Sequence, residues 1–330
     1  MNKQRLAEKR LLINLIRQFF DGQGFFEIET PLLVPSPGME THLHGFKTSY
    51  RDIRGASHVM FLPTSPEFSI KKALGAGYEK VYEIARVFRN VGELGPLHHP
   101  EFNMLEWYRP GNYLDIMDDV EALLSYISKS FPTDSHLTEM NWTGSMQRTS
   151  ILECFQKYAG LDLEAGMRDI SSFRKAGEAV LSQSIPADDT FEDIFFRIWL
   201  QLIEPKLGQL GPEIVYDYPA SMSALAQLKK PERKWAERFE LYIKGIELGN
   251  AFSELRDPDE QRLRFETSNR ERKRLGYEPH PIDEDLINSI SSMKPTGGIA
   301  IGIERLLMTL TGEKDISQFF IQPLTVAKRK

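Results

Sequence analysis

Leu12, Leu15, Ile16, Phe19 and Phe20 recur at spacings of three and four with basic residues between them, which predicts an amphipathic helix from about Gln4 to Asp21. Gly22 and Gly24 end it. Phe26 and Ile28 alternate with Glu27 and Glu29, a short strand signal closed by Thr30-Pro31, and Pro35, Pro37 and Gly38 make the next stretch a loop. Ser65-Pro66 opens a helix over Glu67–Leu74, since proline suits the first helical turn. Val81–Phe88 reads as a strand, with an antiparallel partner over Phe102–Tyr108 across the segment Asn90–Pro100. Helical periodicity returns over Asp115–Phe131 and Asp193–Leu207. Ile214–Tyr216 is a short strand. Glu237–Leu248 reads as one long strand that Phe252–Leu255 extends or pairs with. Pro258–Leu275 predicts a charged surface helix, Gly297–Gly302 an apolar strand bearing glycines, and Glu304 onward a helix. Thr133–Asp188 is polar and mixed, with no assignable pattern. This order predicts an α+β fold on a mainly antiparallel sheet rather than a doubly wound parallel one.

Composition narrows the classes of function. The 330 residues carry 41 basic and 47 acidic side chains, a formal net charge of −6, which disfavours nucleic-acid binding by phosphate neutralisation alone. Hydrophobic residues at 41% and charged residues at 27% exclude a disordered chain. The lone Cys154 excludes a disulfide framework and a cysteine-based zinc site. No stretch reaches the roughly 18 unbroken apolar residues that span a membrane. Arg197 interrupts Ile194–Leu202, and Glu304 and Arg305 interrupt Ile299–Leu310. The charged opening MNKQRLAEKR lacks a secretory cleavage signal, so a cytoplasmic location is expected.

Neither a GxxxxGK[ST] phosphate loop nor a dinucleotide glycine fingerprint nor HExxH occurs, so a nucleotide site must be built from side chains on a sheet. Three segments supply them. Arg86-Val87-Phe88-Arg89-Asn90 leads by a loop to His98-His99-Pro100-Glu101-Phe102, and an arginine at a strand end can clamp a phosphate. The plain alternative is a pair of solvated strand-end charges. ERFELYIKGIELGNAFSE, Glu237–Glu254, carries Glu240 and Glu247 seven positions apart. In a single strand that odd separation puts them on opposite faces, so a shared metal requires a bulge or bend near Gly245. Glutamates in water on an amphipathic strand are the plain alternative here. GGIAIGIERLL, Gly297–Leu307, leaves one strand face bare for a flat ligand, with Arg305 at the start of the next helix; a close-packed strand–helix corner would read the same way.

Taken in order, Phe-Arg-Asn, His-x-Pro-Glu-Phe, Gly-Ile-Glu-Leu-x-Asn-x-Phe-x-Glu-Leu and Gly-x-x-x-Gly-x-Glu-Arg resemble the motifs of class II aminoacyl-tRNA synthetases, in the lysine branch. GFFEIETP, Gly24–Pro31, resembles the first class II motif, which forms a homodimer interface. The resemblance runs from about Arg10 to Leu310. Lysyl-tRNA synthetases place an anticodon-binding β-barrel (an OB domain) ahead of this domain, and here the catalytic pattern starts within the first ten residues. The chain therefore most resembles the elongation factor P lysyl/β-lysyl ligases, truncated lysyl-tRNA synthetase paralogues, and residues 1–330 are expected to form one catalytic domain. LEWYRP, Leu105–Pro110, is similar to a signature of that family, and Ala300 stands where lysyl-tRNA synthetases usually carry glycine, narrowing the amino-acid pocket.

The resemblance implies ATP- and Mg2+-dependent activation of lysine or (R)-β-lysine and transfer to a lysine side chain of elongation factor P, with no tRNA expected as partner. It implies an amino-acid pocket of Ser65, Pro66, Glu67, Glu106, Tyr108, Asn250, Phe252, Glu254 and Ala300, with Glu254 and Tyr108 at the side-chain ammonium and Phe252 on the aliphatic stem. Arg89 matches the arginine at the α-phosphate and Arg305 the second, on the γ-phosphate side. Asn90, Glu93, His98, His99, Glu247, Leu248 and Gly302 complete the implied ATP site, and Glu240 and Glu247 match the magnesium acids. Two departures stand out: Val91-Gly92-Glu93 follows Asn90 as if one residue were inserted, leaving Glu93 as candidate for the adenine-recognising position, and His99 replaces the usual asparagine. Two alternatives stay open: a minimal amino-acid-activating enzyme with another acceptor, and a catalytically dead paralogue, against which Arg89, Arg305, Glu240 and Glu247 are all retained.

Overall fold

A computed structural model describes residues 2–90, 95–131 and 145–324. In chain order it forms α1 (Lys3–Gly22), β1 (Phe26–Glu27), β2 (Phe46–Arg51), β3 (Ser57–Leu62), α2 (Glu67–Gly75), β4 (Val81–Phe88), β5 (Glu101–Pro110) and α3 (Tyr113–Ser130). There follow β6 (Gln147–Ser150), the short helices α4 (Ile151–Cys154), α5 (Leu163–Arg168), α6 (Ile170–Leu181) and α7 (Phe191–Ile198), and β7 (Glu213–Tyr216). The chain ends with β8 (Arg238–Ile243), β9 (Ile246–Ser253), α8 (Pro258–Arg274), α9 (Glu284–Ile290), β10 (Thr296–Gly302) and α10 (Ile303–Thr311).

Eight strands make one sheet in the order β1-β4-β5-β10-β9-β8-β7-β6, and β2 and β3 form a separate hairpin. The two outermost pairings, β1 with β4 and β6 with β7, are parallel; the five between are antiparallel. The expected α+β fold on a mainly antiparallel sheet is the one observed.

Strand alternation sorts the sheet into two chemically different faces. Tyr82, Leu105, Trp107, Ile299, Ile301, Ala251, Phe239 and Leu241 point to one side, where α1, α3 and α10 cover them with Leu12, Ile16, Phe20, Ile116, Val120, Leu306 and Leu307. Trp107 is fully buried and its ring lies 5.1 Å from that of Phe20, so truncating it to alanine costs about 3–5 kcal/mol. This apolar layer is the rigid floor on which the opposite, polar face is displayed. A second core, rich in Phe155, Phe173, Phe195 and Trp199, joins α4–α7 to β7 and β8.

The structure corrects three sequence expectations. Glu237–Leu248 is not one strand: the chain reverses at Lys244-Gly245, where both residues have positive φ (51° and 71°), the backbone of a two-residue hairpin turn. A Lys-Gly pair lacks the Asn-Gly or Asp-Gly turn signal, so the apolar alternation runs unbroken through it. Glycine is required at 245, where a Cβ would approach Pro205 Cα to 3.1 Å. The helix expected over Asp193–Leu207 changes character at Trp199, continuing as a π-helical turn to Ile203 and a 3-10 turn over Glu204–Lys206. Of Thr133–Asp188, residues 133–144 lie outside the described residues, and the remainder supplies β6 and α4–α6. Among the described residues no helix is long and apolar enough to cross a membrane.

Candidate active site

Register brings the polar face together. Ala300 on β10 lies between Glu106 on β5 and Asn250 on β9, and Gly298 lies between Tyr108 and Phe252. On the next strand Glu240 pairs with Asn250 and Arg238 with Phe252. Directly opposed residues share a face, so Glu106, Tyr108, Ala300, Asn250, Phe252, Arg238 and Glu240 form one contiguous surface.

The segment leading into α2 reaches down onto this surface. Ser65 Oγ donates to Glu106 Oε1 at 2.6 Å and accepts from the Glu67 amide at 3.0 Å, while Tyr108 Oη donates to Glu106 Oε2 at 2.8 Å. Pro66 caps α2 and turns Glu67 into its first position. Glu67, Glu106 and Glu254 are all buried. Burial pushes the Glu106 carboxyl well above the usual carboxylate range, with the Glu67 charge adding to it. It drives Glu254 upward too, and the Lys71 ammonium opposes this. Lys71, one helical turn after Glu67, places Nζ 2.5 Å from Glu67 Oε1, 2.6 Å from Glu254 Oε2 and 5.3 Å from the centre of the Phe252 ring. Desolvation works against its charge, but Glu254 and Glu67 outweigh it and hold the lysine above its ordinary pKa. Three carboxylates thus meet beside one aromatic ring.

At the end of β4, the Arg89 amide donates to Pro100 O at 2.9 Å and the guanidinium lies 5.3 Å from the centre of the Phe102 ring. Its Nε is buried without a hydrogen-bond partner among the described residues, and desolvation lowers its pKa. Arg305, opening α10, donates from Nη1 to Glu247 O at 2.9 Å, and its Nη2 lies 2.9 Å from His98 Nε2. Arg86, by contrast, is an exposed strand-end charge paired with Glu101. The Asn90 amide donates to His44 O at 2.8 Å. Glu93 lies outside the described residues. The His99 ring stacks on Phe320 with centroids 4.1 Å apart, Nδ1 lies 2.6 Å from Glu101 O, and Nε2 accepts from the Leu324 amide at 3.0 Å. His99 thereby anchors the C-terminal segment.

The hairpin resolves the problem posed by Glu240 and Glu247. Tyr242 pairs with Glu247 while Leu241 pairs with Gly249, so Leu248 is an extra bulge residue. It turns Glu247 onto the face that carries Glu240, and the Leu248 side chain is buried in the main core. Glu240 is already engaged: Tyr218 Oη donates to it at 2.5 Å, Tyr242 Oη also donates, and Arg238 Nη2 lies 2.5 Å away. Glu247 makes no side-chain hydrogen bond with a described residue, and burial with the nearby Glu240 charge pushes it up to about 7. Glu204 is raised to about 7 by burial and by Glu247 and Glu240. Among the described residues no three histidine, cysteine or acidic side chains are grouped closely enough to cage a metal unaided. One free carboxylate with substrate phosphates is nevertheless a donor set that magnesium accepts. At Gly302 an added Cβ would meet nothing nearer than 3.8 Å, so the strand end is open to a flat ligand.

Sequence reasoning missed Lys71, Arg238, Glu204, Tyr218 and Tyr242. Lys71 had one signal, its i,i+4 spacing from Glu67, but an exposed helical ion pair has the same spacing.

The sequence matches the family described as tRNA synthetases class II (D, K and N) over residues 1–325. It is 37% identical over 319 residues to an elongation factor P–(R)-β-lysine ligase of Vibrio cholerae serotype O1, covering 95% of this chain and 93% of that protein. Ligases of the same name from Avibacterium paragallinarum (36% identical; 96% and 94% covered) and Vibrio vulnificus (36%; 98% and 97%) align as fully. With its antiparallel sheet, paired arginines and cluster of buried carboxyl groups, the chain belongs to the class II aminoacyl-tRNA synthetase family and, within it, to the elongation factor P–(R)-β-lysine ligases.

Proposed function

We propose that the protein activates lysine or (R)-β-lysine with ATP and transfers the acyl group to a lysine side chain of elongation factor P. The observation that carries this is the convergence of Glu67, Glu106 and Glu254 with the Phe252 ring beside Arg89. Buried carboxylates are costly unless compensated, and a diamino acid brings two ammonium groups to compensate them. The relatives' names supply the acceptor.

In the first step the substrate carboxylate attacks the α-phosphorus of ATP, the bond to the β-phosphate oxygen breaks, and pyrophosphate leaves. The carboxylate is already ionised, so no general base is needed and positioning carries the step. Arg89, desolvated and with Nε unpartnered among the described residues, serves as the donor for the charge that gathers on the α-phosphate oxygens. Arg305, held by Glu247 O and next to His98, serves at the far end of the triphosphate. Ala300 floors the pocket between Glu106 and Asn250. Glu247 is the residue that would hold Mg2+, which neutralises phosphate charge when bound; Glu240, tied to two tyrosines and Arg238, orients this corner of the site. In the second step the acceptor amine attacks the acyl carbon and AMP leaves.

Residues 1–330 act in this reading as one catalytic domain, in the cytoplasm where elongation factor P and ATP meet, and without tRNA as acceptor. A homodimer is supported by the exposed apolar side chains of Phe26, Leu32, Leu33 and Tyr78 around the edge strand β1.

Mass spectrometry of elongation factor P incubated with the protein, ATP-Mg and each lysine isomer tests the proposal. Addition of one lysyl or β-lysyl unit is expected. Lysine-dependent ATP–pyrophosphate exchange without labelling would point to another acceptor, and efficient charging of tRNA would overturn the assignment.

A further inference from the structure

Lys71 is almost the last residue expected at its position. Its side chain is 1% exposed, and burying an ammonium costs several kcal/mol unless it is well compensated. It does not pair with one carboxylate but sits between two, Glu67 from its own helix and Glu254 beyond the end of β9. Both contacts are short ion pairs, so the ammonium is shared between the two carboxylates. A third buried carboxyl, Glu106, is satisfied by Ser65 and Tyr108. Two carboxylates against one ammonium leave a net formal charge of −1. That is the charge the side-chain ammonium of a diamino acid neutralises, its own carboxylate lying toward Arg89. Without Lys71 the pocket would hold one negative charge more than such a substrate can compensate.

We propose that Lys71 is the fixed countercharge of this pocket, a positioning residue that holds the Glu67 and Glu254 carboxylates together and so selects an amino acid with two ammonium groups over one with a single one. The inference rests on the lysine-activating reading above and names a determinant of its specificity. The groups facing Lys71 are Glu67 on α2 and Glu254 after β9, with Glu40 in the loop before β2 close enough to feel its charge and that of Arg89, and Glu106 and Tyr108 on β5 lying around Glu67. Most are acidic, so removing the ammonium leaves like charges that relieve their repulsion by taking up a proton. A protonated Glu254 no longer attracts a substrate ammonium.

The test uses the full chain and ATP–pyrophosphate exchange with lysine and with norleucine, which lacks the side-chain ammonium, between pH 6.5 and 9. Lys71→Met is expected to lower the lysine-to-norleucine ratio of kcat/KM by about tenfold or more, and to make the lysine KM rise as pH falls. Lys71→Arg, which keeps the charge, is expected to stay within about threefold of the unmodified protein in both. Lys71→Gln, which keeps polar contacts to both carboxylates but carries no charge, is expected to lower the ratio as Lys71→Met does, by about tenfold or more. It decides the matter where the methionine variant does not fold. An unchanged ratio and pH profile in Lys71→Met or in Lys71→Gln would overturn the inference while leaving lysine activation standing. A protein that shows no lysine-dependent exchange at all would remove both.

Discussion

Gly298 gives the sharpest test of how tightly the amino-acid pocket is built. It sits on β10 between Tyr108 and Phe252, in ordinary extended backbone, so alanine brings no conformational strain and only a methyl group. That methyl carbon would lie 2.3 Å from Tyr108 Cε1 and 2.5 Å from Glu254 Oε1. Non-bonded carbons settle at roughly 3.5–4.0 Å, so the tyrosine ring must retreat by roughly 1 Å. The ring is 2% exposed, and its hydroxyl is committed to Glu106 at 2.8 Å. Glu254 is held from the other side by Lys71 at 2.6 Å. Overpacking of this kind costs about 1–3 kcal/mol, which lowers the melting temperature of a domain this size by a few degrees. A displacement near 1 Å in a substrate-positioning group costs up to about 100-fold in rate. Gly298→Ala is therefore expected to melt earlier and to lose roughly 10- to 100-fold in kcat/KM for lysine, with the KM for ATP little changed. Gly302→Ala is the matched control. Its nearest neighbour would be an Arg305 side-chain atom at 3.8 Å, so its melting temperature should be unchanged, and its effect should fall on the KM for ATP. A Gly298→Ala protein that keeps both its melting temperature and its lysine KM would refute the packing argument.

Glu240 and Glu247 should separate cleanly by substitution. Glu240→Gln weakens bonds to Tyr218, Tyr242 and Arg238 and should cost about 2 kcal/mol in denaturant titration, whereas Glu247→Gln should leave stability intact and raise the Mg2+ concentration needed for half-maximal exchange. His280 should make folding pH-dependent. Burial and the Arg272 charge lower its pKa to about 4 from the ordinary 6.5, so the unfolded chain binds a proton that the folded one refuses. Stability is then lost as pH falls from 6.5 towards 4, by about 1–2 kcal/mol after solvent screening, and His280→Gln should flatten that slope in thermal melts at pH 4.5 and 7. His99→Ala should speed proteolysis of the segment around Phe320–Leu324 without changing the KM for ATP by more than about twofold, because the ring faces that segment. A large rise in KM for ATP would return His99 to the nucleotide.

The difference between what was legible in the sequence and what was not follows the range of the forces involved. Alternation over Val81–Phe88 and Phe102–Tyr108 and the three-and-four spacing of Leu12–Phe20 are local patterns, and each element appears where its pattern lies. The same alternation assigns Glu106 and Tyr108 to one face and Trp107 to the other without knowledge of any partner strand. Arg89, Glu254 and Arg305 were identifiable because their motifs occur in a fixed order along the chain.

The tertiary structure alone decided which of these residues work together. The reversal at Lys244-Gly245 and the bulge at Leu248 bring Glu247 onto the Glu240 face, and both depend on pairing between β8 and β9 that a Lys-Gly turn does not announce. Lys71 becomes a buried charge because Glu254, far along the chain, closes over it. His99 ties down the C-terminal segment because Phe320 and the Leu324 amide offer it a stack and a donor. By itself the sequence determined the elements, their faces and the stock of charged groups, because backbone propensity and side-chain periodicity act over a few residues. Which charges are desolvated, and against what partner, was set by register and packing between segments distant in sequence, where electrostatic energies depend on burial that no local pattern records.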